Sequence, residues 1–145
     1  MIEIAKMSRE HLCEVAKIEK LCFSEPWSEE SLELMLGEQA MGLVALEDGR
    51  VMGYVSMMCV LDEAQIINVA TLPDARRRGI GRALMESVDR YAKERGIVFL
   101  SLEVRESNKA AIDLYTKLGF KVEGKRKDFY TKPTDSALIM IWRNK

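Results

Sequence analysis

A mixed α/β (α+β) sheet with helices packed against it is the fold class this chain predicts. Three observations carry it. Period-two alternation and helical spacing of apolar residues keep changing places along the chain. Two apolar runs flank Asp48-Gly49, the signature of a hairpin. The segment "IVFLSLEV", residues 97–104, is an almost unbroken apolar run, which suits a central strand covered on both faces. The expected order is β-α-α-β-β-β-α-β-α-β-β.

Each element has a local reason. Ile2 to Met7 alternates and reads as a short strand. Ser8 can cap a helix whose apolar positions are Leu12, Val15, Ile18, Leu21 and Cys22. The stretch "FSEPWS" breaks it. Ser28 can cap a second helix, with Glu29 and Glu30 favoured by its positive N-terminal end; Leu32, Met35 and Leu36 form the apolar side and Gly37 the stop. Met41 to Leu46 and Val51 to Val60 are the hairpin strands, and Gln65 to Thr71 is a third strand. Pro73 and Asp74 mark a turn. From Gly79, Ile80, Leu84, Val88 and Tyr91 fall on one helical side, and Gly96 closes the helix. After the apolar strand, Asn108 to Leu118 is a short helix closed by Gly119. Phe120 to Lys127 and Ser136 to Trp142 are the last strands.

Composition limits the function. The chain has 145 residues, fitting one domain over 1–145. Lys plus Arg is 22 against 23 for Asp plus Glu, a net charge of -1, so it lacks the basic excess of a protein that coats nucleic acid. The three cysteines, Cys13, Cys22 and Cys59, form no C-x-x-C, and there is one histidine, His11; neither a disulfide framework nor a metal site is expected. Buried reduced thiols in a cytoplasmic protein are the expectation. The N-terminus has no long apolar run, which argues against a signal peptide or anchor, and no apolar stretch is long enough to span a membrane.

The segment "PDARRRGIGRAL", residues 73–84, raises the question of chemistry. It fails the G-x-x-x-x-G-K-[ST] phosphate loop, because Arg82-Ala83 follow Gly81. It fails the G-x-G-x-x-G dinucleotide pattern, because position 84 is Leu84. What is left is R-x-x-G-x-G, Arg76 to Gly81, between a strand and a helix. Unpartnered N–H groups at a helix start attract an anion. Gly79 and Gly81 allow close approach to the backbone, and adjacent arginines can pair with phosphate oxygens. A surface helix start with solvated arginines is the alternative.

A second constellation is "LEVRESNKAAIDLYTKLGF", residues 102–120. Glu103 ends the most apolar strand. A carboxylate there costs desolvation energy unless it faces a cleft or a partner, and in a cleft it could serve as a base. Asn108, Ile112 and Tyr115 share one helical face. The structural alternative is Glu103 in a surface ion pair, Asn108 as a helix cap and Tyr115 in the core.

Taken together, "NVATLPDARRRGIGRAL" and "LEVRESNKAAIDLYTKLGF" resemble the two characteristic segments of the GNAT superfamily of acetyl-CoA-dependent N-acetyltransferases, and the resemblance covers nearly the whole chain. It implies one N-acetyltransferase domain with a mixed, mostly antiparallel sheet, helices on both faces and a splayed central strand pair. It implies that acetyl-CoA is the donor, with its pyrophosphate on Arg77, Arg78, Gly79, Ile80, Gly81 and Arg82 and with Arg76 opening the motif. The pantetheine arm would pair with Val69, Ala70 and Thr71, the Val69 N–H would hold the oxyanion, and Asn108 would contact the arm or the substrate end. Within the superfamily the chain is most similar to the ribosomal-protein-alanine N-acetyltransferases (the RimI type), through "CFSEPWS", "LEVRESN", Tyr115 and "KRKDFY". That implies Glu103 as general base and Tyr115 as general acid, with the N-terminus of a small-subunit ribosomal protein as partner. No metal, nucleic acid or membrane is implied, and the protein would be a monomer or at most a weak dimer. One departure is Lys132-Pro133-Thr134, where a shorter glycine-containing turn is expected.

Trp27 and Tyr130 are candidates for lining the substrate entrance. Trp27 also has the spacing of a hydrophobic staple to Leu32. Lys125, Arg126 and Lys127 read as a solvated strand edge. A lysine-side-chain or small-amine acetyltransferase and a non-catalytic acetyl-CoA-sensing or nucleic-acid-binding module are the competing functions; the presence of both Glu103 and Tyr115 argues against the second.

Overall fold

A computed structural model gives the fold and describes residues 1–131 and 133–144. Of the unusual turn noted above, Pro133 and Thr134 are described; Lys132 lies outside the described residues.

The helical start at Ser8 takes an unexpected route. The Ser8 N–H donates to His11 Nδ1 at 3.0 Å, a 3-10 turn forms over Arg9–His11, and α1 then spans Leu12–Cys22. Its buried side is Leu12, Val15, Ala16, Ile18 and Glu19. Leu21, expected among them, is 62% exposed. Positions three, four and seven beyond Leu12 share a helix face; position nine does not. Ser28 caps α2 (Glu29–Leu32), its hydroxyl accepting from the Ser31 N–H at 3.1 Å. That helix tightens into a 3-10 turn over Glu33–Leu36 and stops at Gly37.

Seven strands form one sheet: β1 (Glu3–Lys6), β2 (Ala40–Glu47), β3 (Arg50–Val60), β4 (Glu63–Thr71), β5 (Phe99–Arg105), β6 (Lys121–Tyr130) and β7 (Asp135–Arg143). Their spatial order is β1-β2-β3-β4-β5-β7-β6, antiparallel throughout except for β4 and β5. The helices α3 (Ile80–Glu94) and α4 (Lys109–Lys117) bury Ile80, Leu84, Val88 and Tyr115 in one apolar cluster with Leu100, Leu102 and Val104. On the opposite face α1 and α2 bury Val15, Ile18 and Leu32 with Val44, Tyr54 and Ala70. The expectation of helices on both faces is met.

Two features of the central strands position the site. First, β4 and β5 pair only at Glu63↔Phe99, Ala64↔Leu100 and Gln65↔Ser101. Beyond these rungs β4 continues to Thr71 and β5 to Arg105, so the strands splay. Second, the β3–β4 register shifts between Ser56 and Met57: Met57 faces Ile66 while Ser56 faces Asn68, leaving Ile67 as an extra residue. Before the bulge Ala64 and Ile66 belong to the α3 side; after it Val69 does, and Ala70 turns to the α1 side.

The expected two-sided burial of β5 is half right. Leu100, Leu102 and Val104 are buried, but Phe99, Ser101, Glu103 and Arg105 alternate with them and are partly exposed. Beyond Ser101 the divergence from β4 opens that second face at Glu103 and Arg105. The last two strands run longer than their apolar patterns, and β6 is a largely exposed edge.

Candidate active site

The splay opens a cleft of about 670 Å³. It brings together Trp27, Val69, Glu103, Asn108, Tyr115 and Tyr130, residues from five separate chain segments that the sequence reading had singled out.

Glu103 reaches the cleft because alternation along β5 turns it away from Leu102 and Val104. Its Oε2 is buried and receives no hydrogen bond among the described residues. Arg126 Nε on β6 stands 3.0 Å from that oxygen, a charge contact whose N–H is not aimed as a hydrogen bond. The guanidinium also lies over the Phe129 ring, 5.5 Å from its centroid. Arg126, expected on a solvated edge, therefore has one end in the site.

Tyr115 is 7% exposed, with its ring 5.9 Å from that of Phe120. Burial first, and then Tyr130 beside it, push its phenol up to about 12. It holds its proton throughout the neutral range and can act as a donor. Burial, and after it the charge of Glu103, also pushes Tyr130 up, which places that phenol in the same electrostatic neighbourhood. Arg105 lies over the Tyr130 ring at 4.5 Å and donates to the carbonyls of Pro133 at 2.8 Å and Thr131 at 3.3 Å, tying the β6–β7 turn to the end of β5. Asn108 caps α4: its Oδ1 accepts from the Ala111 N–H at 3.2 Å. Capping and cleft lining coexist, since the cap uses only the carbonyl half of the amide.

The glycine loop lies outside this cleft, at the N-terminus of α3. Arg77 has φ 67° and Gly79 has φ 80°, so the backbone turns through left-handed positions and presents successive N–H groups outward. A Cβ at Gly81 would meet nothing nearer than Thr71 Oγ1 at 3.9 Å, so internal packing does not demand a glycine there; approach by something outside the chain would. Gly53 on β3 shows the opposite case. A Cβ there would come to 2.8 Å from the Ala70 carbonyl oxygen and 2.9 Å from Ile80 Cγ2, so the missing side chain lets the first turn of α3 rest on the sheet.

Three of the four arginines of the loop, Arg76, Arg78 and Arg82, already have partners. Arg76 Nη2 reaches Cys22 Sγ at 3.5 Å, Arg78 pairs with Glu47 at the end of β2, and Arg82 pairs with Glu86 at 3.4 Å. Arg78 is thereby turned toward β2, and the Arg78 guanidinium holds the Glu47 carboxyl below its usual range. The loop and the splayed strands still suit acetyl-CoA: outward N–H groups for a pyrophosphate at one end, and a gap between β4 and β5 for an extended arm.

Cys22 Sγ donates to the Thr71 carbonyl at 3.3 Å. The three thiols are free, but the expectation that all are buried fails: Cys13 is exposed, and Cys22 and Cys59 are half-buried. Among the described residues no group of three His, Cys, Asp or Glu side chains is placed to hold a metal ion, and no helix is long and apolar enough to cross a membrane.

Among the cleft residues that the sequence did not single out is a buried carboxylate. Glu19 on α1 is 1% exposed. Its Oε1 accepts from the Trp27 N–H at 2.8 Å, and its Oε2 from Tyr54 Oη and from Asn68 Nδ2, the latter at 3.3 Å. Burial raises its carboxyl above the usual range, against the two bonds from Tyr54 and Trp27. The signal was available: Glu19 is seven residues after Leu12 and four after Val15, on the apolar stripe.

Residues 12–120 match the model of the acetyltransferase (GNAT) family. The [ribosomal protein bS18]-alanine N-acetyltransferase of Salmonella typhimurium is 39% identical over 144 residues, 97% of this chain and 96% of that one. The enzyme of the same description from Escherichia coli is 38% identical over 125 residues, 85% of this chain and 84% of that one. Among solved structures, the ribosomal-protein-S18-alanine N-acetyltransferase from Escherichia coli superposes with a TM-score of 0.92 at 35% identity, covering 99% of this chain and 94% of that one. The paia N-acetyltransferase from Thermoplasma acidophilum in complex with coenzyme A shares the fold, with a TM-score of 0.82 at 23% identity over 99% of each chain.

Proposed function

We infer the reaction from one premise: this chain belongs to the acetyltransferase (GNAT) family, and acetyl-CoA is its acetyl donor. On our reading residues 1–145 act as one domain, and the acceptor is the α-amino group of an N-terminal alanine on a ribosomal protein of the small subunit, as the names of the Salmonella and Escherichia relatives state for bS18. The reaction would take place in the cytoplasm, where ribosomal proteins are made.

The observation that carries the mechanism is the buried Glu103 Oε2, an acceptor with no aligned donor among the described residues, in the same cleft as a buried phenol. A desolvated carboxylate oxygen calls for a donor. An α-ammonium, with a pKa of about 8, is one that must lose its proton before it can attack. Glu103 takes that proton, directly or through water. The amine nitrogen forms a bond to the thioester carbon, and the carbonyl oxygen becomes an oxyanion held by the Val69 N–H. The carbon–sulfur bond then breaks. The departing thiolate, from a thiol of pKa about 8.5, takes a proton from Tyr115, and the attacking nitrogen gives its second proton through water to the Tyr115 oxygen, leaving an amide and coenzyme A. Each positioned proton transfer contributes about 10²–10⁴-fold. The pyrophosphate rests on the N–H groups of Arg77 to Arg82, with Arg76 beside it, and the pantetheine arm follows Val69 to Thr71. Asn108 keeps its amide N–H₂ for the arm or the acceptor. Trp27 and Tyr130 line the acceptor side.

The test is to offer acetyl-CoA with a peptide bearing a free N-terminal alanine, a blocked peptide with an internal lysine, and small amines, and to locate the acetyl group by mass spectrometry. Acetylation of the alanine nitrogen is expected. Transfer only to lysine or to small amines would reject the acceptor, and cofactor binding without any transfer would reject the enzyme.

A further inference from the structure

The mechanism above leaves one buried charged group unused. Glu19 sits under the cleft floor, and its two oxygens serve two different walls. Oε1 accepts from the backbone N–H of Trp27, in the connection between α1 and α2 that also carries Phe23, Ser24 and Glu25 along the cleft. Oε2 accepts from Asn68, the residue immediately after the β4 bulge and immediately before Val69, and from Tyr54 on β3. A side chain held on a helix and joined to both sides at once fixes their separation.

We propose that Glu19 is a positioning residue: it fastens the α1–α2 acceptor wall to the donor strand at the β4 bulge, so that the acceptor amine is presented in register with the acetyl group. The inference rests on the acceptor reading of the cleft given above. Three features support a positioning role over simple core filling. The carboxylate is nearly solvent-free, where an apolar residue would fold at lower cost. Its donors come from elements far apart in sequence, at 27, 54 and 68. Without the bulge, Asn68 would face α3 and the link could not form.

The bonds also dictate how to remove the link without unfolding the protein. Glu19→Leu alone strands Tyr54 Oη. Replacing both partners by apolar groups of similar shape is close to neutral for stability, so Glu19→Leu combined with Tyr54→Phe is the main variant. Glu19→Gln is the second: it offers one acceptor oxygen and two donors where the site supplies three donors. Steady-state kinetics with acetyl-CoA and an alanine-terminated peptide separate the two walls. Acrylamide quenching of tryptophan fluorescence reports on the α1–α2 connection directly, because Trp142 is 6% exposed and Trp27 is the other of the two tryptophans.

For the double variant the peptide KM is expected to rise about tenfold, the order of losing one hydrogen bond to a charged group, while the acetyl-CoA KM stays within about threefold. Trp27 becomes more readily quenched. Glu19→Gln moves the same quantities in the same direction by a smaller factor. An unchanged peptide KM with unchanged quenching overturns the proposal, and so does a parallel loss of both KM values together with thermal stability, which is the mark of a merely structural residue. If the wild type transfers nothing to the peptide, the acceptor reading fails on its own, and the quenching decides for Glu19: faster supports the link, unchanged removes it.

Discussion

Gly53→Ala should weaken acetyl-CoA binding from a position that touches no ligand. The new Cβ would stand 2.8 Å from the Ala70 carbonyl oxygen and 2.9 Å from Ile80 Cγ2, whereas ordinary contact begins near 3.4 Å. The Ile80 methyl can move by rotation. The Ala70 carbonyl is backbone in the rung beside Gly53↔Thr71 and cannot. Either the strand pair or the first turn of α3 must therefore give by about half an ångström. Overpacking of this kind costs about 1–3 kcal/mol, and the lower chain entropy of alanine returns about 0.4–1 kcal/mol, leaving a net loss of about 1–2 kcal/mol. For a domain of this size that corresponds to a fall in Tm of about 3–6 °C. Because α3 carries the glycine loop and β4 carries Val69 to Thr71, movement of either disturbs the acetyl-CoA seat, and the acetyl-CoA KM should rise up to about tenfold, with kcat for a saturated enzyme little changed. Thermal unfolding followed by circular dichroism and initial rates at varied acetyl-CoA measure both effects. A Tm within about 1 °C of wild type and an unchanged acetyl-CoA KM would refute the claim that α3 rests on the sheet at this glycine.

Two further outcomes concern the proton transfers. Glu103→Gln should lower kcat by about 10²–10⁴-fold while acetyl-CoA binding, measured by calorimetry, stays near normal; wild-type turnover at neutral pH would remove Glu103 from the base role. For Tyr115 the sign follows from its raised phenol. A general acid works while protonated, and with its ionisation pushed up to about 12, Tyr115 should cause no fall in rate as pH climbs from neutrality to about 10, the region where an ordinary tyrosine begins to ionise. Tyr115→Phe should lower kcat by a constant factor across that range, and a variant as fast as wild type throughout would make Tyr115 structural.

What the sequence discloses depends on the range of the interaction. The element order follows from local periodicity, and the meeting of Glu103 with Tyr115 follows from a resemblance in two segments. The phase of Glu19 on the apolar stripe of α1 marks it as facing inward, but its partners at 27, 54 and 68 arrive from elsewhere, so no local pattern shows what it binds. Leu21 was placed inside because residue type outweighed helix phase. The bulge at Ile67 leaves no mark in a run of apolar residues, yet it decides which side Asn68 faces. The pairing of Arg78 with Glu47 joins positions 31 residues apart, and no spacing rule reaches that far.

That extra residue in β4 has a consequence for how this strand can change. Point substitutions alter one side chain and leave the others where they are. Inserting one further, paired residue between Ile67 and Asn68 would instead rotate every later position of the strand by half a turn: Val69 and Thr71 would point toward α1, and Asn68 and Ala70 toward α3. The segment 68–71 is thus written in a reading frame set by one residue. It tolerates replacement along its length far better than any change in its length, and libraries aimed at altering the acyl donor should vary its letters while conserving their number.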